Sequence, residues 1–181
     1  NTNLRDLSQI PRYFVDPGAF SSDSTLTMYR PLLLTTYAAN HALSGSSPWS
    51  HHLGNVAIHG AVVIAVLELL LLLLGHSGAA LLGALLFGLH PAHSETVYYV
   101  SSRSESLAAL FVLLALILHI RSACDGRGRT AGHLATVGAF VAGLLTKSTA
   151  IVFLPLALLV DILARPGMWR RRWQAHVSHA V

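Results

Sequence analysis

The chain has 181 residues, of which 53% are hydrophobic and only 11% are charged, and its mean hydropathy is +0.56. Soluble domains carry about a quarter charged residues, so this composition excludes an ordinary soluble domain and indicates an integral membrane protein. The excess of 12 Lys and Arg over 8 Asp and Glu does not indicate a nucleic-acid partner, because the arginines gather in short blocks beside apolar runs. Cys124 is the single cysteine, which excludes a disulfide within the chain.

Residues 1–48 are predicted to form a non-cytoplasmic region with short interfacial helices. One face of the first such helix is marked by four residues at helical spacing, Leu7, Ile10, Tyr13 and Phe14. Residues 29–43 are mildly apolar but contain too many polar side chains for a spanning helix, and they favour a surface or re-entrant helix. Ser47 and Pro48 then predict a helix start, with Ser47 as the N-cap and Pro48 at the first helical position.

A transmembrane bundle of about five helices is predicted over residues 49–165, followed by a basic cytoplasmic segment at 166–181. The predicted spans are Trp49–Leu74, Ala79–Leu89, Ser106–Ile120, Thr130–Leu145 and Ala150–Leu163. The first would be about 39 Å long, and the second is short for a hydrocarbon core of about 30 Å. Pro155 should kink the fifth. The fold class predicted is therefore an all-α polytopic membrane bundle.

The distribution of basic residues predicts which loops share a face of the membrane. Positive charge in short loops marks the cytoplasmic side, so the Arg121–Arg129 loop and the Arg165–Arg172 tail should both be cytoplasmic. Counting spans back places residues 1–48, the His90–Glu105 segment and Lys147 on the opposite face. Ionisable groups from three separate segments would then share one layer, and we expect them to line a common pocket: Arg30, His90, His93, Glu95, Arg103 and Lys147.

The basic members of this set predict binding of a phosphate. Arg30 and Arg103 offer bidentate forks and Lys147 a point charge. The alternative is that these side chains extend along the membrane boundary without binding a ligand.

The His-Pro segment allows three interpretations. His90, His93 and Glu95 could bind a divalent metal, but their spacing matches no standard zinc motif and Pro91 interrupts the helical register. Glu95 is better suited to general acid–base or hydrogen-bonding chemistry. It could instead form an ion pair with Arg103 or cap a backbone. Glu105 is predicted to be a first-turn carboxylate favoured by the helix dipole.

Five motifs in order resemble the membrane part of the transmembrane and tetratricopeptide-repeat O-mannosyltransferases and their bacterial relatives, which are similar to GT-C glycosyltransferases. The resemblance extends from Tyr29 to about Asp161. The motifs are Tyr29-Arg30-Pro31-Leu32, Ser47-Pro48-Trp49-Ser50-His51-His52-Leu53-Gly54-Asn55, Gly88-Leu89-His90-Pro91-Ala92-His93-Ser94-Glu95-Thr96-Val97, Ser102-Arg103-Ser104-Glu105-Ser106-Leu107-Ala108-Ala109-Leu110-Phe111 and Leu144-Leu145-Thr146-Lys147-Ser148.

The resemblance implies a polytopic glycosyltransferase that takes a sugar from a polyprenyl- or dolichyl-phosphate carrier and transfers it to a protein or glycan on the lumenal or periplasmic face. The membrane would be the bacterial inner membrane or the endoplasmic reticulum. The resemblance assigns the lipid phosphate to Arg30, Arg103 and Lys147, together with His90. It makes His93 and Glu95 catalytic candidates.

Two departures from the family pattern qualify this expectation. The family's acidic pair follows its first membrane helix, which is expected upstream of Asn1, and Ser148 stands where many relatives have an acidic residue. We therefore expect the main catalytic acid outside this sequence and no activity from this piece alone. A repeat domain is expected after the membrane part. The alternatives are a transporter or metal-handling protein, suggested by 11 His and the interrupted spans, and a non-catalytic membrane scaffold.

Overall fold

The computed structural model of the chain describes residues 7–20, 28–45, 47–124 and 129–163. In these ranges there are α-helices and 3-10 turns but no β-strand, which confirms the all-α prediction. The α-helices are α1 (Ile10–Tyr13), α2 (Pro31–Ser44), α3 (Pro48–Leu74), α4 (Ser77–Gly88), α5 (Ser94–Tyr98), α6 (Arg103–Cys124), α7 (Arg129–Thr146) and α8 (Phe153–Leu163). The 3-10 turns are Leu7–Gln9, Pro17–Phe20, Pro91–His93, Val100–Ser102 and Ser148–Val152. The predicted basic segment 166–181 lies outside the described residues.

Two helices in the described ranges are long and apolar enough to cross a membrane. They are Pro48–Leu74, with 27 residues and a mean hydropathy of 2.6 over its most apolar 18 residues, and Val100–Ala123, with 24 residues and a corresponding value of 2.0. The apolar helices α4, α7 and α8 are shorter. Each predicted span thus overlaps a helix, and two of them meet the length and composition of a membrane crossing.

The predicted fifth span, Ala150–Leu163, is formed by two helical segments, and the kink at Pro155 stays a prediction. The chain forms the 3-10 turn Ser148–Val152 and then α8, in which Pro155 is the third residue. The first four N–H groups of a helix have no intrahelical partner, so proline in the first turn removes no hydrogen bond. The chain therefore changes from 3-10 to α-helix after Val152, shortly before Pro155.

Residues at the ends of α3 explain where it begins and ends. Ser47 is the N-cap and Pro48 occupies the first turn, as predicted, although the Ser47 side chain makes no capping hydrogen bond. At the other end Gly75 adopts the left-handed conformation with φ 64°, which glycine tolerates without steric cost, and its N–H donates to Leu71 O.

Helix α6 is the centre of the packing. One buried cluster joins α6 to α8 through Ala115, Leu116 and Phe153. A second joins α6 to α3 through Ile117 and Ala65. Small residues at these contacts let the helix backbones approach closely, as is typical of membrane bundles.

The N-terminal region packs on α2. Tyr13 and Ala19 are each 1% exposed and form a cluster with Leu34 and Ala38. The amphipathic prediction holds for Tyr13 and in part for Ile10, whereas Leu7 and Phe14 are exposed at 50% and 39%. The buried residues of α1 therefore face α2, which carries Arg30 at its start.

The contact between α6 and α7 generates a testable prediction. A Cβ added at Gly132 would lie 2.6 Å from Ser122 Cβ and 3.3 Å from Ser122 Cα, so Gly132→Ala should force the two helices apart. We expect a loss of about 1–3 kcal/mol in the free energy of unfolding in detergent. Gly138→Ala is the matched control on the same helix, because nothing lies within 4 Å of its added Cβ. It should be neutral or stabilising by up to about 1 kcal/mol. Equal effects of the two substitutions would contradict this packing.

Candidate functional site

The predicted site residues gather at one end of the bundle, where α3 and α6 begin and α4 and α7 end. Three contacts establish this arrangement. His59 Nε2 lies 3.1 Å from Gly88 O, Arg103 Nε donates to Asn55 Oδ1 over 2.8 Å, and Lys147 forms an ion pair with Glu105. We call this the motif end. The separate segments that were predicted to share a layer therefore do meet at one end of the molecule.

The segment between α4 and α6 is shaped by Pro91. Proline cannot continue α4, and His90 before it is extended at φ −66°, ψ 129°. His90 Nδ1 accepts a hydrogen bond from Ala92 N over 3.2 Å, and Ser94 Oγ donates to Pro91 O over 2.7 Å. These local hydrogen bonds stabilise the 3-10 turn Pro91–His93. The turn leads directly into α5, the helix that carries Glu95.

Arg103 is buried and bound by protein groups. Its side chain is 1% exposed, and its donors are directed at four acceptors. The acceptors are Asn55 Oδ1 at 2.8 Å, Asn40 Oδ1 at 3.0 Å, His51 O at 2.9 Å and Thr36 O at 3.5 Å. The guanidinium also lies 4.7 Å from the centre of the Tyr37 ring. In this structure Arg103 therefore holds α2 and α3 to α6, and it is not presented to a ligand.

Gly54 makes room for this arrangement. A Cβ added there would lie 2.6 Å from Asn40 Oδ1 and 2.9 Å from Arg103 Nη2. Neither atom can move without losing a buried hydrogen bond, so only glycine fits at this position.

Two other cations meet at the first turn of α6. Arg30 Nη1 donates to Ser104 Oγ over 3.3 Å, and Lys147 pairs with Glu105, the next residue along. The Lys147 side chain is 19% exposed and that of Glu105 is 51% exposed. Arg30 and Lys147 thus flank the end of α6 at which the helix dipole is positive, where anions are favoured. Glu105 is the first-turn carboxylate predicted from the sequence, and its pairing with Lys147 was not predicted.

An apolar crevice opens beside this ion pair. It has a volume of about 350 Å³ and lies between α3, α6 and the 3-10 turn after Lys147. Its lining includes Val62, Val66, Ala109 and Val152, with Glu105 as its charged member. A charged edge and an apolar interior suit an amphiphilic ligand better than a water-soluble one.

Glu95 lines a separate groove. This groove has a volume of about 1040 Å³ and is lined by Trp49, His52, Ser94, Glu95, Val97, Tyr98 and Tyr99. Trp49 and Tyr98 are about equally exposed, at 70% and 71%. Neither Arg30 nor Lys147 is among the lining residues. The expected common pocket is therefore divided into a cationic region with an apolar crevice and an aromatic groove with a carboxylate.

The histidines of the segment form a third group. The His93 ring lies 5.5 Å from that of His59, 6.2 Å from that of His90 and 4.3 Å from that of Phe87, measured between ring centres. Burial lowers the pKa of His93, and the neighbouring His59 and His90 lower it further. In the part of the chain that the structure describes, no three His, Cys, Asp or Glu side chains are placed to hold a metal ion.

Sequence reasoning missed two residues of this site, Asn40 and Asn55. Their amides satisfy the buried arginine, and Asn55 is itself 2% exposed. The sequence signal that could have identified them is a polar amide within or close to a strongly apolar helix. Burying such an amide costs free energy unless it has a hydrogen-bond partner. The proposed pair between Glu95 and Arg103 does not form, because Arg103 faces α2 and α3.

Comparison with known proteins agrees with the motifs. A family model for dolichyl-phosphate-mannose-protein mannosyltransferases matches residues 30–181. The chain belongs to this family. Among its relatives, the Protein O-mannosyl-transferase TMTC2 of Mus musculus is 35% identical over 139 residues, which are 74% of this chain and 16% of that protein. TMTC4 of Mus musculus is 31% identical over 163 residues, 79% of this chain and 22% of that protein.

A third relative, TMTC2 of Homo sapiens, is 39% identical over 103 residues, 57% of this chain and 12% of that protein. The chain therefore spans 12% to 22% of the length of these relatives. No solved structure matches it. These findings confirm the resemblance to O-mannosyltransferases that the five motifs indicated.

The histidine cluster around His93 generates a pH prediction. Because His59 helps to lower the pKa of His93, His59→Gln should raise that pKa toward its usual value of about 6.5. The measurement is a pH titration of ¹⁵N-labelled imidazoles by NMR in detergent micelles. His76→Gln, on the turn at the opposite end of α3, is the control and should leave the His93 titration unchanged.

The sign of the effect on stability follows from linkage. The folded protein binds a proton at His93 less readily than the unfolded chain does. The contribution of His93 to stability is therefore present above about pH 6.5 and is lost as the pH falls through the unfolded pKa toward the lower folded value. An unchanged pKa in His59→Gln would show that the two rings do not interact.

Proposed function

We propose that this chain is the membrane part of a polytopic GT-C-like glycosyltransferase that transfers mannose from a dolichyl- or polyprenyl-phosphate carrier to a protein hydroxyl. The family match and the relatives named as protein O-mannosyl-transferases support the reaction class. The single structural observation that carries the proposal is the convergence of Arg30 and Lys147 on the first turn of α6 beside an apolar crevice.

The lipid phosphate would bind between Arg30 and Lys147. Both side chains remain partly accessible, and the positive end of the α6 dipole adds to their field. His90 also suits this role, because its Nδ1 accepts from Ala92 N and its neutral tautomer then carries the proton on Nε2 as a donor. Arg103 is not assigned to the phosphate site, because its side chain is buried and already donates to four protein acceptors.

The apolar crevice would hold the start of the polyprenyl chain. Its lining is aliphatic apart from Phe87, Thr149 and Glu105, and its charged edge adjoins Lys147. A lipid phosphate would then have its head group at the ion pair and its chain among Val62, Val66 and Val152. Burial of apolar surface would supply much of the binding free energy, and the cations would set the position of the phosphate.

In the transfer step the acceptor oxygen forms a bond to C1 of mannose, while the bond from C1 to the carrier phosphate breaks. The proton of the hydroxyl passes to a carboxylate, and the lipid phosphate leaves with the bonding electrons. Arg30 and Lys147 would stabilise the negative charge that develops on the phosphate. Our candidate for this proton acceptor is Glu95, which lines the aromatic groove, with His93 as a second candidate.

The phosphate role is tested with Arg30→Ala in the full-length protein. Loss of a charge-assisted contact to the phosphate should raise the KM for the lipid-linked donor about tenfold or more. Arg12→Ala is the control, because Arg12 forms an exposed pair with Asp16 on the neighbouring N-terminal region. The measurement is initial-rate kinetics with a dolichyl-phosphate mannose donor. A donor KM equal to that of the wild type would remove Arg30 from the site, and a transporter or scaffold would show no transfer in any variant.

The base role is tested separately with Glu95→Gln. This isosteric change removes the proton acceptor, so kcat should fall by about a hundredfold or more while the donor KM stays close to that of the wild type. Asp16→Asn, an exposed carboxylate outside both pockets, should leave kcat unchanged. If Glu95→Gln alters neither constant, the base lies elsewhere, whereas the result for Arg30 still decides the phosphate site.

A further inference from the structure

Asn55 connects the buried arginine to the wall of the aromatic groove. Its Oδ1 accepts from Arg103 Nε over 2.8 Å, and its Nδ2 donates to Val97 O over 3.3 Å and to Tyr99 O over 3.2 Å. The side chain is 2% exposed, so water does not compete for these bonds. One amide thus uses its oxygen for Arg103 and its nitrogen for one carbonyl near the end of α5 and one just after it.

Tyr37 provides a second connection of the same kind. Its ring packs against the Arg103 guanidinium, 4.7 Å from the ring centre, and its hydroxyl donates to Val100 O over 2.6 Å. Burial raises the pKa of the Tyr37 hydroxyl more than Arg103 and Arg30 lower it, so the hydroxyl keeps the proton that it donates.

The carbonyls held in this way belong to the residues that form the groove. Val97, Tyr98 and Tyr99 all line it, and Glu95 lies one turn earlier on α5. The described hydrogen bonds that join this segment to α2 and α3 are accepted by these three carbonyls, and the Tyr98 ring also packs against that of His52 at 5.8 Å between ring centres. The directions of the Tyr98 and Tyr99 side chains, which follow from the backbone, therefore depend on Asn55 and Tyr37.

We propose that Asn55 and Tyr37, both held against the buried Arg103, are positioning residues that fix the residue 97–100 backbone, and thereby the groove that receives the acceptor polypeptide. That the groove receives the acceptor rests on the proposed function. That Asn55 and Tyr37 position the groove wall rests on the hydrogen bonds alone. The two parts are therefore tested by different measurements.

Asn55→Asp separates positioning from simple support of the fold. Aspartate has the shape of asparagine and still accepts from Arg103, with a charge added, but it cannot donate to Val97 O or Tyr99 O. Its second oxygen instead faces those carbonyl oxygens and repels them. Arg103 stays satisfied while the backbone segment is released.

Asn40→Asp is the matched control. Asn40 Oδ1 accepts from the same Arg103, and its Nδ2 donates to Ser50 O over 2.9 Å, at the start of α3. The substitution makes the same chemical change beside the same arginine without touching residues 97–100.

The first measurement is hydrogen exchange by mass spectrometry on the full-length protein in detergent. We expect exchange of the peptide covering residues 97–102 to quicken about fivefold or more in Asn55→Asp and to stay unchanged in Asn40→Asp, with α6 peptides equal in all samples. Equal exchange of residues 97–102 in wild type and Asn55→Asp, or the same increase in Asn40→Asp, would overturn the positioning role. If Asn55→Asp does not fold, Tyr37→Phe replaces it, because it keeps the ring against Arg103 and removes only the donor to Val100 O.

The second measurement is the KM for each substrate. If the groove receives the acceptor, Asn55→Asp raises the acceptor KM about fivefold or more and leaves the donor KM unchanged. A raised donor KM would instead make Arg103 and Asn55 part of the phosphate site. Faster exchange with both KM values unchanged would retain the positioning role and overturn the acceptor assignment.

Discussion

The structure depends on one constraint, the burial of the Arg103 charge among apolar helices. A guanidinium removed from water is costly unless nearly all its donors find acceptors. The acceptors here come from α2 and α3, and the charge itself from α6. These three helices can therefore meet at the motif end in one arrangement, since any displacement would leave a buried donor without a partner.

The same constraint divides the basic residues into two classes. Arg103 is enclosed by protein acceptors, whereas Arg30 and Lys147 touch single polar side chains of the next turn, Ser104 and Glu105. A fully bound arginine organises the backbone, and partly accessible cations remain available to an anion. Close to the opposite end of the bundle, charges are again paired, Arg121 with Glu68 and His119 with Asp161 at 2.9 Å. Those pairs join α6 to α3 and to α8, as expected for charges within apolar helices.

Much of the helical framework could be predicted because apolar runs and their interruptions are local properties. The fourth predicted span, Thr130–Leu145, coincides with α7 to within one residue at each end. The fifth predicted span, Ala150–Leu163, begins as a 3-10 turn and continues as α8, and an apolar run does not specify which of the two helix types the chain adopts. The single pocket expected from the sequence is two separate pockets in the structure. The order of helices along the chain indicates only at which end of a bundle a residue lies. It does not decide toward which neighbour the side chain points.

The sequence by itself determined the apolar amino-acid composition, the helical class, the positions of the apolar helices and the family. Each of these follows from local residue patterns or from short motifs. Only the tertiary structure decided that Arg103 is enclosed while Arg30 and Lys147 are accessible, and that Asn55 connects Arg103 to the groove. In a soluble protein, polarity distinguishes the inner face of a helix from the outer one. Here the exposed faces of the long helices are apolar as well, so hydrophobic periodicity does not make that distinction, and only the packed helices show which polar groups face one another.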